Sequence, residues 1–221
     1  NAILTGTYTY DDKYSILGVL NYAGTYSFAK DKRYGLFPSI GASWVISEEN
    51  FMKNSKFINF LKLRAQGGVL GVENFLSPFY YIDRWSVNTS GGAFGPNSST
   101  RWFGSNTENN VPRSSIQSMG NPDLTWETAK EFSAGFDALL LNEKLSFEMT
   151  WYNNIRDGQI TQVFNDLPYM VGLSSARPWY NYNKTRYYGL ETGLQFTNRA
   201  GDFSYSLGGN ATIQNSERLK V

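Results

Sequence analysis

Neither cysteine nor histidine occurs among the 221 residues. Without cysteine there is no thiol nucleophile, no disulfide frame and no thiolate zinc site. Without histidine, a Ser-His-Asp triad and the commonest transition-metal ligand are gone. Long apolar runs are also missing: no stretch of about 18 such residues exists, which excludes a transmembrane helix. A net charge of +1 offers no basic stripe to a nucleic-acid backbone.

Aromatic and small residues are plentiful. The 15 Tyr, 15 Phe, 6 Trp and 21 Gly favour strands and turns over helices. A mean hydropathy of −0.41 is compatible with a barrel wall, because half of each barrel strand and all its loops are polar. The clearest pattern lies between Arg33 and Gly71. Ile40, Ala42, Trp44 and Ile46 share one strand face, with Ser39, Gly41 and Ser43 on the other. Ser47, Glu48 and Glu49, placed as an N-cap with acids in a first turn, predict one short helical turn. A second strand then sets Leu61, Leu63, Ala65 and Val69 against Lys62, Arg64, Gln66 and Gly68. Two cations on the non-apolar face require water or a wet lumen there. A strand pair that is apolar outside, polar inside and aromatic at its margin is the pattern of a membrane β-barrel.

The same alternation recurs along the chain. Residues 2–10 and 14–23 read as strands about a turn at Asp11-Asp12-Lys13, and 24–32 as a polar loop. Residues 124–140 put Phe132, Ala134, Phe136, Ala138 and Leu140 opposite Glu127, Glu131, Ser133 and Asp137. Leu145, Phe147, Met149 and Trp151 alternate with Ser146, Glu148, Thr150 and Tyr152. Two last strands carry Tyr188, Leu190, Leu194 and Phe196, then Tyr205, Leu207, Ala211 and Ile213, with Glu191 on the polar face. Long loops are expected at about 72–121 and 157–183. Short and long connections alternate, as in outer-membrane barrels. The fold class predicted is all-β: about eight meandering antiparallel strands of a transmembrane β-barrel.

Several stretches resemble one family. RYGLFPSIGASWVISEENF with LKLRAQGGVLG, GNPDLTWETAKEFSAGFDALLLNEKLSFEMTWYNN, and NKTRYYGLETGLQF are similar to the SusC/RagA-like TonB-dependent outer-membrane transporters of Bacteroidetes. Pro38, Trp44 and Gly67 to Gly71 fall on that family's strand-entry and wall positions. Asn121, Pro122, Leu124, Trp126 and Glu127 match its NPxLxWE signature, and Gly189 and Glu191 its G-x-E. Tyr187 stands where the family usually has Asn. The resemblance implies that residues 1–221 are part of a TonB-dependent receptor barrel, a larger plugged barrel of about 22 strands, whose plug and signal peptide lie outside this chain. It also implies the bacterial outer membrane and import of an oligosaccharide or peptide. The implied partners are a SusD-like surface lipoprotein, TonB acting through the plug, and membrane lipid.

No catalytic residue, metal ligand or cofactor is assigned. Glu127, Glu131, Asp137, Glu148 and Glu191 offer carboxylate pairs of the kind glycosidases use, but with Lys62 and Arg64 they read better as lumen-lining charges, and an Arg64–Glu131 approach is left open by the unknown register. Trp44 and Trp151 read as girdle or lipid-facing residues. Tyr80, Tyr81, Trp85, Trp102, Phe103, Trp179 and Tyr180 are the candidate substrate or partner contacts, since flat rings with polar edges stack on sugars or grip peptides. The same rings are equally suited to packing long loops together. Two other readings remain: a passive small outer-membrane barrel or surface adhesin, and a soluble all-β carbohydrate-binding module.

Overall fold

The computed structural model describes residues 1–53, 55–73, 78–88, 101–102, 110–111, 113–163 and 176–220. Its strands in chain order are β1 (Ala2–Tyr10), β2 (Tyr14–Gly24), β3 (Tyr34–Val45), β4 (Ile58–Val72), β5 (Arg84–Asn88), β6 (Arg101–Trp102), β7 (Asn110–Val111), β8 (Arg113–Ser118), β9 (Glu127–Leu140), β10 (Leu145–Gln162), β11 (Trp179–Ala200) and β12 (Phe203–Lys220). Eight of them form one sheet in the order β1-β2-β3-β4-β9-β10-β11-β12, each pair antiparallel. β5 pairs with β8 and β6 with β7 as two small two-stranded sheets between β4 and β9. Among the described residues β1 and β12 are free edges, so the sheet is an open wall.

Register fixes the two faces. Trp44, Leu63, Phe136 and Met149 are successive cross-strand partners, a continuous apolar row over four strands. Lys62, Asp137, Glu148 and Gly193 form the equivalent polar row on the other face. Large side chains on the apolar face are exposed, with Leu4 70% and Leu207 75% exposed on the edge strands. Aromatic pairs edge it: Tyr14 stacks on Trp44 at 6.1 Å on one margin and Tyr22 on Tyr34 at 5.5 Å on the other. Trp151 lies on this face too, edge-on to Phe132 at 6.0 Å.

Short turns gather at one end. Asp11 and Asp12 (φ +53° and +52°) turn β1 into β2, and Leu141, Asn142 and Glu143, all with positive φ, turn β9 into β10. Gly201 (φ +63°) opens the tight turn between β11 and β12. Residues 46–57 join β3 to β4 at this end. The opposite end carries the connections 25–33, 73–126 and 163–178.

Four expectations change. The helical turn is a 3-10 turn at Ile46–Glu48 whose cap position is Val45, without a side-chain cap bond. Ser47 is not the N-cap, because the chain is still extended at Val45. The 72–121 loop contains the β5–β8 and β6–β7 strand pairs, too short for alternation to stand out in a stretch rich in Gly, Ser and Asn. The 157–183 loop shrinks to 163–178, because the β10–β11 ladder continues past a register shift between Arg156 and Gln159, with Gly158 at φ +68°. The fifth sheet strand accordingly begins at Glu127.

Candidate functional site

The concave polar face holds a trough of about 800 Å³, bordered by Leu17 and Ser39 on one flank and Asn210 and Thr212 on the other. Arg64, Glu131, Glu148 and Glu191 all line it. Arg64 donates to Asp137 Oδ1 at 3.2 Å and to the Thr150 hydroxyl at 2.7 Å. It crosses β9 where the sequence has Gly135, its register partner. A Cβ there would run into the Met149 carbonyl oxygen. Glu131 instead accepts from Asn154 Nδ2 at 2.6 Å. The Arg64 partner is therefore Asp137, two residues along β9 from the direct opposite Gly135, because an arginine reaches diagonally across a ladder. Tyr152 leans over Gly189, whose Cβ would lie 2.8 Å from the tyrosine oxygen, and Glu148 covers Gly193. Glycine on this face makes room for a long polar neighbour.

The long-loop end of the wall carries a packed hub. Phe28 and Leu124 are fully buried, and Trp126 meets Phe28 at 5.6 Å and Phe37 edge-on at 5.4 Å. The Trp126 indole donates to the Arg33 carbonyl at 3.3 Å. Thr25 and Ser27 both donate to Glu73, so the 25–33 connection is tied to the end of β4. Asn121 donates through Nδ2 to the Trp179 carbonyl at 2.7 Å and accepts from the Asp123 amide at 3.0 Å. Asn181 accepts from the Thr125 amide and donates to the carbonyls of Thr125 and Gly158. Glu127 is 6% exposed and accepts from the Ile160 amide at 2.8 Å. It belongs to this hub and is not open to the lumen. The NPDLTWE stretch is thus a joint: Asn121 makes the turn, Leu124 and Trp126 fill the core, and Glu127 fixes β10.

The candidate aromatic contacts divide. Trp179 and Tyr180 begin β11, so they are strand residues. The Trp179 ring packs on Tyr80 at 5.1 Å, and the Arg84 guanidinium sits over the other ring system of that pair, 5.4 Å from the Tyr80 centroid. Tyr81 contacts Phe79 at 6.2 Å, and Phe79 in turn contacts Tyr26. Trp85 is 59% exposed on β5. Trp102 belongs to β6, and Phe103 lies outside the described residues. Tyr80 and Trp179 come together across two connections that are distant in sequence. Lys62 lies on the polar face opposite Asp137. Thr150, Asn154 and Asn181 were not singled out from sequence. Their polar parity was visible for the first two, but their partners depend on register.

Over residues 2–219 the chain matches a family model described as TonB dependent receptor-like, beta-barrel. The TonB-dependent receptor SusC of Bacteroides thetaiotaomicron is 27% identical over 216 residues, 97% of this chain and 20% of its own length. A TonB-dependent receptor of Formosa agariphila is 32% identical over 173 residues, 77% of this chain and 14% of its own length. The RagAB peptide importer in its closed-closed state superposes with a TM-score of 0.80 at 21% identity, over 99% of this chain and 22% of that chain. That likeness is one of fold. The chain spans a fifth or less of the length of these curated relatives.

Proposed function

The chain belongs to the TonB dependent receptor-like β-barrel family, and we propose that it is the wall segment of an importer that carries a bulky nutrient, an oligosaccharide or a peptide, inward across the membrane. It is a segment of a SusC/RagA-like barrel of the bacterial outer membrane. A SusD-like surface lipoprotein would cap the long-loop end, and TonB would act through a plug that the longer protein supplies. Lipid would meet the apolar face. The relatives are receptors, and transport rather than turnover is the activity they support.

One observation carries the reading: an apolar face and a polar, glycine-relieved face on one open wall, with the two longest connections, 73–126 and 163–178, at one end. An eight-strand barrel that closed on itself would pair β1 with β12, whereas the wall here stays open along both edges. In outer-membrane barrels the longer loops face outward, which puts Trp85, Tyr80 and Trp179 on the outer rim.

The test replaces Trp85, Trp102 and Trp179 singly with alanine in the full-length protein and measures uptake, partner co-purification and protease sensitivity at the cell surface. Trp85→Ala is expected to impair uptake or partner binding while assembly stays normal, since truncating a contact aromatic typically costs about 2 kcal/mol or more of binding. Trp179→Ala is expected to increase loop cleavage, because Trp179 packs on Tyr80. Normal uptake and partner binding in all three variants, or a periplasmic location of these loops, would overturn the rim assignment.

A further inference from the structure

Lys62 and Arg64 are two positions apart on β4 and share the polar face, and they compete for one carboxylate. Asp137 is the direct cross-strand partner of Lys62. Arg64 takes it instead, at 3.2 Å, and holds the Thr150 hydroxyl as well. Among the described residues the half-buried Lys62 ammonium makes no ion pair and no hydrogen bond. It lines a hollow of about 240 Å³ with Arg64, Ser15, Ser43 and Ser133. Gly41 and Gly135 stand in the same wall and leave the space open. No aspartate or glutamate lines this hollow. The carboxylates of the polar face, Glu131, Glu148 and Glu191, border the larger trough. Arg64, Gln66 and Ser133 border both, so the hollow adjoins the trough.

The Ser15 hydroxyl is shared with Thr9 at 3.1 Å. The Ser43 and Ser133 hydroxyls have no partner among the described residues. A spare ammonium beside free hydroxyls, with no acid in the lining, makes an electropositive hollow that lacks an acceptor. Hydrogen bonds from a cation to a carboxylate are the strong kind, and a half-buried lysine has already given up part of its water. One spare positive charge matches a monoanion. We propose that this hollow is an anion site for one carboxylate entering from the lumen, with Lys62 supplying the charge and Ser43 and Ser133 the neutral donors. The carboxylate is carried by the imported substrate, as an acidic peptide or a uronate-bearing oligosaccharide, or by the part of the longer receptor that fills the lumen. The assignment rests on the barrel and import reading for the lumen that the hollow faces.

The test follows acetylation of each lysine by a water-soluble succinimidyl ester in the full-length receptor in detergent, read by mass spectrometry. Trigalacturonate and triglutamate are the acidic probes and maltotriose the neutral one. Lys30, exposed in the 25–33 connection, is the internal reference. A substrate-borne carboxylate predicts that one of the acidic probes slows acetylation of Lys62 by about fivefold or more relative to Lys30. Ser43→Ala should weaken that protection, and maltotriose should give none. Carbodiimide coupling without probe reads the other source: an amide link from Lys62 to an aspartate or glutamate outside residues 1–221 assigns the carboxylate to the receptor itself. Lys62 left unprotected by both acidic probes and unlinked by carbodiimide overturns the site, whatever its own rate. A link to Asp137 alone does the same, as does equal protection by maltotriose, which would mark plain steric cover. Uptake by cells is scored separately, so import that continues with Lys62 unprotected removes the anion site and leaves the transport reading intact.

Discussion

Arg64 of β4 bonds to Thr150 of β10 at 2.7 Å, across the intervening strand β9. The path exists because Gly135 of β9 has no side chain to obstruct it. Replacing Gly135 with valine would force β9 against the Met149 carbonyl and Thr150. Such overpacking costs about 1–3 kcal/mol. The denaturant midpoint of the full-length barrel in detergent should fall accordingly, and an unchanged midpoint would show that the wall adapts.

Face assignment is tested next door. Leu63 sits between Trp44 and Phe136 on the apolar side, whereas Arg64 lies on the trough side. Leu63→Arg should cost about 2–4 kcal/mol if the site is near the bilayer midplane. Arg64→Leu should be milder, since it gives up a half-exposed ion pair of small net worth. Equal costs, or the reverse order in heat-modifiability assays, would put the strand the other way round.

The hub at the long-loop end depends on Asn181, which makes three hydrogen bonds to Thr125 and Gly158. Asn181→Ala would strand those backbone groups at a cost of about 1–3 kcal/mol. Limited proteolysis should then cut the 163–178 connection faster while the membrane-embedded core remains protected. Unaltered cleavage would mean that Trp126 and Leu124 hold the rim alone.

Glu49 gives a pH signature. Hydrogen bonds from Tyr14 and then Trp44 hold its carboxyl below the ordinary value of 4.5, with Lys13 adding in the same direction and desolvation opposing. A depressed folded-state pKa stabilises the fold above the unfolded value and loses that contribution as pH falls through the folded one. The melting-temperature advantage of the parent over Glu49→Gln should therefore be full at neutral pH and shrink below about pH 4.5. An advantage that persists unchanged to pH 3 would remove the clamp from the stability of this end.

The faces of β3, β4, β9 and β10 were legible because alternation of period two is read directly from residues such as Leu61, Leu63 and Ala65 against Lys62 and Arg64. Strand length was not. Above the apolar band β10 and β11 are mostly polar or aromatic, with Ile155 and Ile160 the aliphatic residues of 153–162 and 179–187, so these stretches lack the contrast that marks a strand, and Trp179 and Tyr180 read as loop. Partnerships such as Arg64 with Asp137, or Glu127 with the Ile160 amide, depend on register and on side-chain reach, which no single strand encodes. The NPDLTWE stretch was visible as a motif through resemblance. Its work as a joint became clear only with Asn121, Trp126 and Asn181 in one place.

The two tyrosine margins of β2 also measure something. Tyr14 and Tyr22 are eight positions apart on one strand, about 26 Å along it at roughly 3.3 Å per residue. A strand tilt of about 40° reduces that to a vertical height of about 20 Å. Bilayers thicker than this must thin around the wall or leave acyl chains against the polar rim, at a cost that grows with each ångström of mismatch. The barrel should therefore partition toward the thinner regions of a mixed bilayer, and short-chain lipids should be its better host on reconstitution.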